Sequence, residues 1–583
     1  MSKTDEKIIE KYINLTNQYK IKYGDLTIVL LQVGSFYEMY GFENKDGSIE
    51  GSNISDVAEI CELNISTKNI DKKRNKPIKM AGFGINSLDK YLDKILGGGY
   101  TIPVYDQEDD GIPDSKAKKN HIIKAVFSPG TNINNRELTN NTMCIWINKR
   151  SRVNFLDIGI SNIDVLTGKT YTFQYEIEFI DAPNTFDETE RYISTYNPNQ
   201  ILIISDLVQD YNDKLISYLN LNLIKVDIYN TTNETLDDYF KQKIKNCESQ
   251  KYQIKVLEDF YISKQNIDDI CDKFKQYEYA TQSFCFLLDF VKEQNERLVK
   301  NISIPIFENF TDRIILANHT LKQLNIIDDN NHKGKYSSVL SLLNKCKTSI
   351  GKRRFQYNLL HPTNNVTVLN KEYEITDFMI NLFKREQIQQ EACETYLKQI
   401  KDIEVFQRKL LHNKITPLAI VNLYQNIEII MNMFSSLDDI DELKDYITGN
   451  ENVIYSEIIN NCKSIMKCIT DTINLDIAGE INVLIFEKLE KSFFKRGINQ
   501  DFDRLEENMH DEYDKLVAYK NYYNKLFDNP TPEYVKLENK KENKKDDIQL
   551  TITDSRSKKL KNIISSTNIQ DTVEVSYNST YNN

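Results

Sequence analysis

The 583 residues, 40% of them hydrophobic, are too many for a single core and predict roughly three to five domains. Nine scattered cysteines, with no CxxC pair and no histidine cluster beside them, exclude a zinc-ribbon or disulfide framework and fit a reducing compartment. A formal charge of −12, no apolar run near the ~20 residues that span a bilayer and an opening too charged for a signal peptide point to a soluble intracellular protein, off the membrane, whose polyanion contacts come only from local patches.

Residues 5–20 space Ile8, Ile9, Tyr12, Ile13, Leu15 and Tyr19 along one helix face, and Tyr23-Gly24-Asp25 ends it. LTIVLLQVGSFYEMYG reads as a strand that bends, or meets another backbone, at Gly34. Residues 87–96 read as a helix stopped by Gly97-Gly98-Gly99. Together these make a small α/β domain over residues 1–135. Strands at CIWIN, VNFLDIGISNIDVLTGKTYTFQYEI and QILIIS, with a helix near 187–196, predict a second α/β domain over 136–250. Strand signals then nearly vanish, and residues 251–495 are expected to be helical. In the last block, 496–583, Ile498, Phe502, Leu505, Met509, Tyr513, Leu516, Tyr519, Tyr523 and Leu526 predict a long helix or coiled-coil arm ended by Asn529-Pro530-Thr531-Pro532. EYVKLENKKENKKDDIQLTITDSRSKKLKN follows as strand, charged turn and strand, before a polar tail. The fold class is therefore multidomain, mixed α/β and then all-α, with strands returning near the end.

Two basic runs stand out against the acidic whole. TKNIDKKRNKPIKMAGFG contains Lys72, Lys73, Arg74 and Lys76, and residues 536–561 contain Lys540, Lys541, Lys544, Lys545, Arg556, Lys558 and Lys559 alongside Lys536 and Lys561. Each run reads either as a solvated loop or as a set of phosphate contacts. Phe36-Tyr37-Glu38 carries a different signal. Residues two apart on a strand share a face, so the ring and the carboxylate project together.

Several ordered segments resemble the MutS mismatch-repair family. NQYKIKYGDLTIVLLQVGSFYEMYG is similar to the start of its recognition domain, with Phe36-Tyr37-Glu38 at the Phe-x-Glu position. KPIKMAGFGINSLDKYLDKILGGGYTIPVYDQ is similar to its Pro-x-x-Met-Ala-Gly segment, and Phe127-Ser128-Pro129-Gly130-Thr131 to its closing sequence. LANHTLKQLNI and SVLSLLNKCKTSIGKRRFQYNLLHPTNN resemble the core and lever region. Gly84 and Asn86 replace the usual Pro and His, and Asp106 a usual Glu. The VGSFYEMYGF style is most like members encoded by giant viruses.

The resemblance implies a recognition domain, an RNase H-like α/β connector, a long-helix core and lever, and a partial clamp with β-strands. It implies that Phe36 wedges into mispaired base steps from the minor groove, that Glu38 meets the displaced base edge, and that the basic residues hold backbone phosphates. The partner is double-stranded DNA with mismatches or small loops, and the full-length family is homodimeric. ATP and Mg serve that full-length family, but no GxxxxGK[ST] loop occurs here, so no cofactor is expected of these residues and the ATP-dependent steps would need a domain that they do not contain. No metal cluster or catalytic constellation emerges either. The competing reading is a structural or assembly subunit of the same architecture that binds DNA without reading mismatches. The compartment, whether nucleus, cytoplasm or viral factory, stays open.

Overall fold

The computed structural model describes residues 3–566 apart from 72, 108–119, 133–137, 220, 222–223, 262–266, 311–312, 315, 317, 328–333, 335, 386, 412, 437–439, 449–454, 482–491, 528–533 and 543–544. The chain divides into two compact units, Met1–Ile415 with Asn422–Cys462, and Thr416–Val421 with Lys463–Asn583.

The first unit opens with the amphipathic helix Lys3–Tyr23 and a seven-stranded sheet. Its strands are β1 (Leu30–Val33), β2 (Phe36–Glu43), β3 (Ile49–Glu50), β4 (Ser66–Asp71), β5 (Lys76–Gly84), β6 (Ile102–Gln107) and β7 (His121–Phe127), ordered β4-β5-β2-β1-β6-β7 with β3 beside β2. Leu30, Leu31, Met39 and Tyr40 are fully buried because helices cover both faces. At Gly34 the expected bend is a full reversal: φ of 69° lets the chain turn there, and β1 pairs antiparallel with β2, Val33 opposite Phe36.

The second sheet contains β8 (Asn141–Lys149), β9 (Phe155–Asp164), β10 (Thr170–Glu178), β11 (Gln200–Ser205), β12 (Lys225–Asn230) and β13 (Ile306–Phe307). The order is β12-β11-β8-β9-β10-β13, an antiparallel meander β8-β9-β10 extended by parallel strands at both edges. One face packs on the helices Asp187–Tyr196 and Gln209–Tyr218. The other packs on Asp238–Glu248, Gln250–Tyr261 and Glu278–Gln294. The last of these is buried nearly all round and starts directly over Gly159, where a Cβ would fall 2.1 Å from the Tyr279 carbonyl carbon. The core around this sheet runs on to about residue 307, because β13 joins the sheet and the 278–294 helix roofs it.

Further helices follow, and buried arginines tie them back to the second sheet. Arg408 donates to the carbonyls of Val165, Leu298 and Lys300. Arg353 donates to Asp402, Glu404 and the Leu138 carbonyl.

In the second unit the helix Gln500–Lys525 is capped by the Asn499 side chain, which accepts from the Asp501 and Phe502 amides. Its Phe502, Leu505, Met509 and Tyr519 stand exposed. The antiparallel pair of β14 (Lys536–Glu542) and β15 (Lys545–Thr551) matches the two expected strands. A helix, Asp554–Ser566, then appears where only strand and polar tail were read. Phe527, Val535 and Leu560 form the small core beneath it.

Candidate nucleic-acid interface

Phe36 begins β2 and is 50% exposed, whereas Tyr37 beside it is 2% exposed. The difference follows from the pleat. Tyr37 faces the Leu88–Gly97 helix side, against Phe83, and its hydroxyl donates to Asp106 at 2.5 Å. Phe36, Glu38, Tyr40 and Phe42 share the opposite face. The helix Lys3–Tyr23 covers only the far end of that face, with Tyr12 set edge-on to Tyr40 at 5.3 Å.

The strand next to the uncovered end has no side chains there. Phe36 lies opposite Gly84 and Glu38 opposite Gly82 on β5. Gly82 fits only as glycine, since a Cβ would sit 2.6 Å from the Tyr37 carbonyl oxygen, whereas Gly84 borders open space. The result is a bare lane of backbone beside an exposed aromatic ring. The turn that presents the ring is anchored by Gln107, whose side chain accepts from the Gly34 amide at 3.3 Å.

Glu38 is not a solvated carboxylate. Its Oε2 accepts from Lys68 Nζ at 2.9 Å and from the Tyr40 hydroxyl. Lys68 lies on β4, two strands away, and sequence reasoning missed it. Only the strand order brings residues 38 and 68 together, and nothing local in the sequence signals that order.

Described members of the first basic run sit elsewhere. Lys73 and Arg74 lie in the β4–β5 turn and Lys76 begins β5, eight residues from Gly84 and so ~27 Å along the strand from the Phe36 row. Each faces an acid: Lys73 Glu10 at 2.7 Å, Arg74 Asp71 at 3.3 Å, and Lys76 Glu50 at 2.6 Å. The Lys73 ammonium holds the Glu10 carboxyl below its usual value, and Lys76 does the same for Glu50. The geometry thus separates this loop from the Phe36 end rather than gathering both into one site. Lys72 lies outside the described residues.

In the second unit Arg556 stacks over Tyr534 at 4.3 Å, while Lys558 and Lys559 are exposed on the last helix. Lys544 and the side chains of Lys540, Lys541 and Lys545 lie outside the described residues.

Two acids of the second sheet, Asp157 and Asp164, are occupied structurally. Asp157 accepts twice from Arg150, at 2.8 and 2.6 Å, and buried Asp164 caps its own turn through the Asn140 and Leu166 amides and the Thr167 hydroxyl. Among the described residues no group of three or more His, Cys, Asp or Glu could hold a metal ion. Residues 351–353 do not form a nucleotide cradle either. Gly351 lies inside the helix Ser349–Leu360 with its amide bound to Thr348 Oγ1 at 3.0 Å, and Arg353 is spent on Asp402 and Glu404. No helix among the described residues is long and apolar enough to cross a membrane.

Comparison with known proteins gives two family matches, MutS domain I over residues 7–136 and MutS domain III over residues 319–572. The chain is similar to mutS homolog L359 of Acanthamoeba polyphaga mimivirus, 27% identical over 89% of this chain and 46% of that protein. It is also similar to the DNA mismatch repair protein MutS of Caldanaerobacter subterraneus, 23% identical over 73% of this chain and 44% of that protein, and to that of Fusobacterium nucleatum, 21% identical over 86% and 49%. The chain thus spans about half the length of the curated relatives it matches. Among solved structures, a Fowlpox virus resolvase bound to Holliday junction DNA overlaps 25% of this chain and 97% of its own, at 18% identity and a TM-score of 0.17, which is too low to support an argument.

Proposed function

The chain belongs to the MutS family, and on that premise we propose that it binds mismatched double-stranded DNA, with Phe36 as the aromatic wedge and Glu38 as the acceptor for the displaced base. One observation carries the reading: a half-exposed ring on a rigid strand end, bordered by Gly84 and Gly82, with a carboxylate on the same face. Glycine neighbours let a duplex backbone approach closely. A ring inserted from the minor groove unstacks a base step at a cost of roughly a few kcal/mol, and a mispaired step costs less, which gives the preference.

The second sheet is read as an RNase H-like connector without nuclease chemistry, its Asp157 being tied up by Arg150 and its Asp164 by its own turn. The lysines of the last helix and of the β4–β5 turn are read as phosphate contacts that position without reading sequence. ATP-dependent steps are not assigned to these residues, so the purified 583-residue chain is expected to show no ATP turnover above contaminant controls.

The test measures affinity for matched and mismatched duplexes of one sequence. Phe36→Ala should remove roughly 1–3 kcal/mol of mismatch binding, the value of base–aromatic stacking, and lower the mismatch-to-matched ratio about tenfold. A parent chain that binds both duplexes equally would leave the architecture-only reading instead.

A further inference from the structure

We propose that Lys68 and Tyr40 are positioning residues for Glu38, fixing which of its two oxygens is offered to a base edge; this rests on the reading of Phe36 and Glu38 as the mismatch reader.

The two oxygens of Glu38 differ. Oε2 receives the Lys68 ammonium at 2.9 Å and the Tyr40 hydroxyl, whereas Oε1 has no hydrogen-bond partner among the described residues. The donors are themselves held. Tyr40 is fully buried against Tyr12 of the first helix. Lys68 Nζ reaches the Tyr40 hydroxyl at 3.1 Å and lies 4.9 Å from the centre of its ring. Lys68 and Glu38 are 27% and 13% exposed, so water competes weakly for the pair. A glutamate at a strand end otherwise samples many rotamers, and ordering it on binding would cost affinity. Here the ordering precedes the ligand.

The arrangement also sets a chemical preference. A carboxylate whose Oε2 is filled by an ammonium and a phenol presents Oε1 as an acceptor only. It therefore suits a base edge that offers an N–H, such as the ring N–H of thymine or guanine or an exocyclic amine, over one that offers a bare ring nitrogen. The pairing links β4 to β2 across β5, so the basic residue of this region that serves recognition is Lys68, while the turn residues lie at the other end of the ribbon.

The test uses the full 583-residue chain, one G·T-containing duplex and its fully paired counterpart, and follows thermal melting throughout. Lys68→Met should lower the mismatch-to-matched ratio about tenfold, the equivalent of one hydrogen bond to a charged group. Lys68→Arg should restore most of it, and Tyr40→Phe should lower it about threefold, as a weaker donor is lost. With Glu38→Ala already in place, Lys68→Met should change the ratio no further.

Equal weakening of both duplexes by Lys68→Met, or a drop in ratio that persists in the Glu38→Ala background, would overturn the positioning role and make Lys68 a phosphate contact. If Lys68→Met melts early, Lys68→Gln is read in its place, and early melting of both makes the residue structural and overturns the role. A preference lost with Phe36→Ala and Glu38→Ala yet kept in Lys68→Met sinks the positioning alone. A preference that survives those first two substitutions, or is missing from the parent, sinks the underlying reading and this one with it.

Discussion

Neighbouring residues of β2 should respond to substitution in opposite ways, because the pleat gives one to solvent and the other to the core. Phe36→Ala removes a ring that is 50% exposed and faces Gly84 on one side, with Val33 its cross-strand neighbour on the other, so the melting temperature should fall little while discrimination falls. Tyr37→Ala empties a site that is 2% exposed and strips Asp106 of a donor, and should cost about 3–5 kcal/mol of folding stability, weakening both duplexes together. Equal melting of the two variants would contradict this assignment of faces. The glycines make a second pair. Gly82→Ala drives a Cβ to 2.6 Å from a backbone oxygen that cannot swing aside and should destabilise by about 1–3 kcal/mol. Gly84→Ala meets nothing within 4 Å at an ordinary extended backbone, φ −64° and ψ 145°, so the fold should keep its stability. Any change in DNA binding by Gly84→Ala, measured on a protein of unchanged melting temperature, would then report directly on what passes beside Phe36.

Between elements, the joint that binds the long helices to the second sheet rests on Arg353, which bridges Asp402 and Glu404 at 2.6 Å each. Burial pushes both carboxyls up, but the hydrogen bonds from Arg353, and from Lys169 to Glu404, outweigh it and hold both below their usual values. A carboxylate with a depressed folded pKa contributes stability above its unfolded value, about 4, and loses it as the pH falls through the folded one. The wild-type chain should therefore lose stability on acidification below about pH 4, and Arg353→Met should flatten that slope while costing about 2–3 kcal/mol at neutral pH, the low side for breaking a buried pair because the acids are partly exposed. Urea melts at three pH values would check both.

Elements of this kind also show where sequence reading stops. Periodicity and β-branched runs located β1 and β2, β8 to β11, the helix at Asp187–Tyr196 and the long helix near the end, because each buries one regular face. Pairing partners were not legible: Gly34 could mark a bend or a reversal, and only the register with β1 decides. The Asp554–Ser566 helix escaped notice because it buries little beyond Leu560 and so carries almost no pattern. Phe36 was visible through its motif. Lys68 was not, since a cross-sheet ion pair has no fixed sequence spacing.

Across the whole molecule, a chain with a formal charge of −12 approaches a polyanion only where acids do not already answer its bases. In the β4–β5 ribbon they do: Lys68, Lys73, Arg74, Lys76 and Lys79 each have a carboxylate at 2.6 to 3.3 Å. The pairs at Glu10 and Glu50 are exposed and cheap to break, so a phosphate can replace either acid. The acid released in that exchange gathers counterions as the phosphate sheds them, and the two effects cancel in the salt dependence. The ribbon should thus contribute less to the salt slope than its count of lysines suggests. Glu10→Gln with Glu50→Gln removes the cancellation without touching a base. If Lys73 and Lys76 meet phosphate, this double variant should bind every duplex more tightly and steepen the plot of log affinity against log salt by up to roughly two units, about 0.9 for each phosphate. The mismatch-to-matched ratio should not change, because backbone contacts carry no sequence information. An unchanged slope, in a protein that melts like the parent, would remove this ribbon from the interface and leave binding electrostatics to other cations, among which Lys558 and Lys559 stand exposed.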